Sequence, residues 1–112
     1  MGLRRDGERL LETLESVAAG LAAFQGFPVQ MEYTDHLRRR LVPLVEGLRS
    51  LIERRVDRLE IMRTMAAIKE VMHEVNGAAT KGEMKICEEG ALETFWDLST
   101  IFQEQRYRDE RL

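Results

Sequence analysis

Apolar residues recur along this chain at alternating spacings of three and four, and no other feature limits its fold as tightly. Leu10, Leu14, Val17, Leu21 and Phe24 form one series, with Leu3 extending it backward and Leu11 and Ala18 beside it. On a helix of about 3.6 residues per turn these positions line a single face, which must be buried against another element. A second series runs Leu37, Leu41, Leu44, Leu48, Leu51 and a third runs Ile61, Met65, Ile68, Met72, Val75. A fourth runs Met84, Cys87, Ala91, Phe95, Leu98, Phe102. The apolar set is rich in Leu, Met and Ala and poor in aromatic and β-branched residues, which is helix rather than strand chemistry. With 112 residues there is room for one core. The expectation is an all-α fold: a single helical domain over 1–112, an antiparallel bundle of three or four helices with a long central helical segment that is kinked or broken.

Local signals divide the chain. The first helix is expected over about 3–25, stopped by Gly26 and then Pro28. Residues 26–33 (GFPVQMEY) read as a connector, apolar for a loop, with Thr34 or Asp35 able to cap the next helix. A helical segment follows over 34–76, with Pro43 inside it as a source of a kink or a start. Projected on one straight helix, its two stripes point roughly 140° apart. Arg55 and Arg58 sit where the first stripe would have continued. Either the chain breaks near 54–57, where Asp57 and Glu60 resemble a capping box, or one long helix serves two neighbours. The absence of Gly and Pro between Ser50 and Met62 favours the long helix. Asn76-Gly77 reads as its end, 77–80 as a loop, and Thr80 with Glu83 as the capping box of a last helix over 81–107. Gly90, inside that helix, either permits a close helix approach or marks a later start.

The chemistry on offer is sparse. No Gly-rich phosphate loop, zinc-ligand spacing or nucleophile elbow is present, so no catalytic residues are assigned and a non-enzymatic role is expected. Cys87 is the only cysteine, which excludes an intrachain disulfide and suits a reducing compartment. No run approaches the roughly 18 apolar residues of a membrane span, and the first residues lack a signal-peptide pattern, so a cytoplasmic protein without membrane contact is expected. The net charge of −3 divides unevenly: residues 1–35 carry three basic and six acidic groups, 36–63 eight and four, and 64–112 six and ten. Arg38, Arg39, Arg40, Arg54, Arg55 and Arg58 make a basic face that could grip phosphates, the basis of a weaker reading as a nucleic-acid-associated regulator. Flanking acids and the overall acidity favour self-neutralisation instead.

Two acidic constellations suggest metal. Glu70 and His73 share a helix face at the spacing that di-iron bundles use, and a second half-site from a dimer partner would complete such a centre for iron or another divalent metal. Glu89, Glu93 and Asp97, beside Glu88, form an acidic edge without the second motif that magnesium chemistry would need. The leading expectation needs no cofactor. Phe27 and Met31 in the connector, Met62 and Met65 in the central segment, and Phe95-Trp96 are more apolar surface than a small bundle readily hides. Adjacent Phe95 and Trp96 point about 100° apart on a helix, so both are not expected to face one core. Met and aromatic residues are favoured at interfaces. Together they point to a helical homodimer that also binds a protein partner, acting as an adaptor, small chaperone or regulator.

Overall fold

A computed structural model describes residues 2–54, 58–88 and 90–111, with side chains over 5–54, 59–88 and 90–104. Four helices follow one another: α1 (Gly2–Ala23), α2 (Pro28–Arg54), α3 (Arg58–Thr80) and α4 (Ala91–Arg111). No strand occurs among the described residues. Each helix packs on its neighbours in sequence, α4 returns to α1, and the diagonal pairs stay apart. Contacts across the seams show that neighbours run antiparallel. Gly7 lies against Ile52 while Glu15 meets Arg49, and Lys69 meets Gln103 while His73 meets Trp96. The result is an up-down-up-down four-helix bundle, 51 × 23 × 18 Å.

The four stripes converge on one core. All of Leu10, Leu14, Val17 and Leu21 are buried, as are all five members of the third stripe. The second contributes Leu37, Leu41, Leu48 and Leu51, with Leu44 half-buried, and α4 contributes Phe95, Leu98 and Phe102. The central segment is not one long helix. Arg40 of α2 forms an ion pair with Glu74 of α3, 34 positions on. A continuous helix would hold those residues about 50 Å apart at about 1.5 Å per residue. The two stripes point in different directions because they belong to two separate, neighbouring helices that each turn one face to the common core. Residues 55–57, including Asp57 of the expected capping pair, lie outside the described residues. Pro43 stands inside α2, which continues through it.

The element ends depart from the expectations for identifiable reasons. Residues 28–33 belong to α2 and not to a connector. Pro28 takes the first helical position, where a missing N–H costs nothing. Gln30, two residues on, accepts a 2.9 Å hydrogen bond from the Phe27 N–H through its side-chain carbonyl, the returning half of a capping box. The Met31 N–H donates to the Phe27 carbonyl at 3.0 Å. Thr34, the expected cap, is instead buried within the helix, its hydroxyl donating to the Met31 carbonyl. At the other end, α3 runs through Asn76-Gly77 to Thr80, carried by Ala78 and Ala79, two strong helix formers. Residues 77–80 are therefore helix. Thr80 donates back to the Asn76 carbonyl at 2.8 Å, so it ends α3 and caps nothing after it. Glu83 has a φ of 52°, and α4 begins only at Ala91. Gly90 marks that later start: it holds a φ of 90°, and its carbonyl accepts the Thr94 N–H at 2.9 Å.

The α3–α4 connection is thus a strap of extended chain. It crosses α1 at Gly20, where a Cβ would overlap the carbonyl oxygen of Ile86. Met84 and Ile86 point inward from the strap and are buried in the common core. Only glycine fits beneath a backbone so close. Gly20→Ala is expected to lower stability by about 1–3 kcal/mol or more, as overpacking against a backbone does. Gly47, helical in α2 with open space where its Cβ would stand, should respond oppositely. Gly47→Ala is expected to gain about 0.5–1 kcal/mol. Urea unfolding of the two variants beside the parent protein checks both signs.

Candidate interaction surface

The lengths and registers of the helices leave one end uncovered. At 27 residues α2 is the longest element. Counting six residues from the Arg40–Glu74 pair places Thr80, the last residue of α3, opposite Thr34 of α2. The Arg49–Glu15 pair likewise places the end of α1 opposite a later residue of α2. The first turn and a half of α2 therefore overhangs both neighbours. Its apolar side chains are exposed accordingly: Phe27 at 72%, Val29 at 73%, Met31 at 39% and Tyr33 at 36%. Val29 and Tyr33 fall on the α2 flank that also carries Arg40 and so looks toward α3. Met31, exactly five turns from Arg49 by helical spacing and on the same flank as Val42, looks toward α1. Phe27 precedes the helix between them.

The sequence-based surface divides on this structure. Phe27 and Met31 are exposed, as is Met62 at 45% near the start of α3. Met65 and Phe95 are fully buried and belong to the core, not to an interaction surface, because each stands at the centre of its helix's stripe. Trp96 is half-buried on the α3–α4 seam. Its ring lies 4.6 Å from that of His73 at 39° and edge-on to Phe95 at 5.0 Å. Val42, Leu59 and Ile101 are also exposed and were not singled out by pattern, since an isolated apolar residue off the stripe carries no periodic signal.

The basic face is largely met by the protein's own carboxylates. Arg38 and Arg39 both pair with Asp35, at 2.7 and 2.9 Å, Arg40 with Glu74, and Arg49 with Glu15. Arg54 is exposed, with its Nε donating to the Ser50 carbonyl at 3.4 Å. Arg55 and the side chain of Arg58 lie outside the described residues. The hydrogen bond from Arg38 holds the Asp35 carboxyl below its usual range, against a smaller opposing desolvation, and the charge of Arg39 helps. A lowered folded value means that the pair stabilises above the ordinary carboxylate range and that this is lost as pH falls through the folded value. The site is exposed, so salt screens it.

Glu70 and His73 lie together on the exposed side of α3, with His73 engaged by Trp96. Among the described residues no group of three His, Cys, Asp or Glu side chains stands close enough to hold a metal ion. Glu88, Glu93 and Asp97 are exposed, and Glu89 lies outside the described residues. Cys87 sits in the strap, half-buried, and not on a helical stripe. Desolvation pushes its thiol above the ordinary value, so the neutral thiol is favoured and the fold loses stability as pH rises from the ordinary thiol range through the folded value. Beside the strap, an open groove of about 620 Å³ runs between the ends of α1 and α2. No helix among the described residues is long and apolar enough to cross a membrane.

Comparison with protein-family models, with curated proteins and with solved structures returns no match. The chain's own geometry is what bears on its function.

The division between core and surface can be measured directly. Phe95→Ala is expected to cost about 3–5 kcal/mol and Met65→Ala about 2–5 kcal/mol. Met62→Ala should stay within about 0.5 kcal/mol in the monomer. Chemical denaturation of the three variants distinguishes them.

Proposed function

We propose that this protein is a non-enzymatic helical interaction module, an adaptor or regulator, that pairs with a second copy of itself through the overhanging start of α2. The observation that carries this reading is the exposure of Phe27 just before α2 and of Val29, Met31 and Tyr33 on its first turn and a half, which the bundle covers only in part. Exposed apolar clusters of this kind mark association surfaces more often than scattered single residues do. A two-fold arrangement would use the same overhang twice, each supplying the neighbour that the other lacks. The pairing of Arg38, Arg39, Arg40 and Arg49 with carboxylates weighs against a phosphate-binding role for that face.

Native mass spectrometry of protein purified without chelators tests the proposal. The expected spectrum is a dimer at its bare mass. Phe27→Asp combined with Val29→Asp should convert it to a monomer of unchanged helicity, since a central apolar contact is worth about 2 kcal/mol or more. A parent protein that stays monomeric at tens of micromolar would refute self-association. A dimer carrying metal that disappears in His73→Ala would favour a shared centre at Glu70 and His73 instead.

A further inference from the structure

The strap between α3 and α4 has an unusual balance of attachments. Its inner side is anchored by Met84 and Ile86, whose side chains are 6% and 3% exposed, and by the seat of the Ile86 carbonyl on Gly20. Its backbone is otherwise poorly held. The Lys81 and Gly82 N–H groups donate back to the Gly77 carbonyl of α3 and the Met84 N–H to that of Ala78, and the next such bond is that of Ala91 to Glu88. Among the described residues, no N–H from Lys85 to Glu88 donates to the backbone. Open space lies on both sides. A groove of about 620 Å³ is lined by the strap together with the ends of α1 and α2, and a second of about 500 Å³ by the strap together with the end of α3 and the start of α4. Glu83, Lys85, Cys87 and Glu88 line both, so the strap is a partition one chain thick. Glu83 adds a left-handed backbone at a non-glycine residue, a strain that release would relieve.

We infer that residues 81–88 form a latch that opens as a unit while the four helices stay packed, uncovering the Cys87 thiol and joining the two grooves into one cleft at the head of the bundle. The physical basis is a separation of attachments. Lifting the strap withdraws Met84 and Ile86 from the core but leaves the stripes of α1 to α4 in contact with one another. Segments with few backbone hydrogen bonds and few neighbours open below the free energy of global unfolding. Closure depends on Gly20, because a side chain there would hold the strap off α1.

Labelling of Cys87 by an aromatic disulfide reagent at mildly alkaline pH, followed across a urea series below the unfolding transition, tests the latch. The expected result is a thiol that reacts more slowly than in the unfolded chain, at a rate nearly independent of urea, because opening exposes little surface. Ile86→Ala removes an anchor of the closed form only and should speed labelling about tenfold or more, in line with the loss of a buried Ile side chain. Gly20→Ala should do the same. Leu48→Ala is the control: it lies about 27 Å along α2 from Gln30, which lines the groove beside the strap. It should lower global stability and leave the labelling rate unchanged. If labelling instead rises with urea at the slope of global unfolding and Leu48→Ala accelerates it, the latch does not open alone and the inference fails. It also fails if the parent thiol reacts as fast as in the unfolded chain, since the strap would then cover nothing.

Discussion

The passage of the Ile86 carbonyl over Gly20 decides how this bundle closes. Three of its seams join helices that follow one another in sequence, but the fourth brings α4 back beside α1, at the greatest sequence distance. The strap makes that return possible by crossing the end of α1 before α4 begins, and it can lie so low only because Gly20 has no side chain. With the backbone seated there, Met84 and Ile86 reach the core and fill the end of the bundle that α4 does not occupy. The delayed start of α4 at Ala91 follows from the same requirement, because a helix beginning at 81 could not pass over α1 in extended form. A left-handed Gly90 then turns the chain into α4.

The overhang of α2 has a related origin. The strap and the short link over residues 24–27 replace helix at the head of the bundle, so α1 and α3 stop before α2 does. Thr34 and Leu37 are nevertheless buried, while the turn before them is exposed on both flanks. The boundary between the two regimes falls where the register of Arg40 with Glu74 places the end of α3. Apolar residues on that first turn and a half are therefore only partly covered by the fold, Phe27 and Val29 least of all. A stretch of this kind is stable in water only at the cost of exposed apolar surface, and covering it is a sufficient physical motive for association.

The four apolar stripes made the fold class legible, because each helix buries one face and the spacing of that face is written directly in the residue types. Helix ends were legible only in part. Gly26 stops α1 within a few residues of its position, but Pro28 was read as a continuation of that stop when it is the first residue of α2. Proline serves both purposes, and only Gln30 reaching back to Phe27 distinguishes them. Asn76-Gly77 failed for the complementary reason: a glycine ends a helix where the chain must turn, and here packing of Ala78 carries the helix one turn further. The differing directions of the 37–51 and 61–75 stripes reflect two separate helices, and residues 55–57 between them include no Gly or Pro to mark a turn by composition. Of the candidate surface, Phe27, Met31 and Met62 are exposed. Met65 and Phe95 are core, as the position of each on its own stripe implies, because the face a residue occupies and not its type decides whether it is buried. The overhang was not legible at all, since it depends on the register of three helices and no local pattern encodes that.

The distribution of charge sharpens what the exposed surface can do. Arginines crowd the middle of α2, where they look like a docking face in sequence, yet the antiparallel neighbours bring Glu15 from α1 and Glu74 from α3 to the same level. Asp35, one turn earlier on α2 itself, takes two more. Pairs this exposed contribute little to stability, about 0–1 kcal/mol each, so their main consequence is to remove a long-range attraction for anions. What remains distinctive at the head of the bundle is apolar and lies on a helix, beside a strap held by the buried Met84 and Ile86, the Ile86 carbonyl on Gly20 and a few backbone hydrogen bonds to α3. A partner that covered the overhang would also lie close to the strap, because Gln30 lines the groove that the strap borders. Association and opening of the strap would then be coupled through that shared groove: an occupant bearing on Glu83 to Glu88 would resist opening, and one entering the cleft would require it. The sign of that coupling is set by which of the two surfaces the occupant touches, and Gln30 and the strap line one groove.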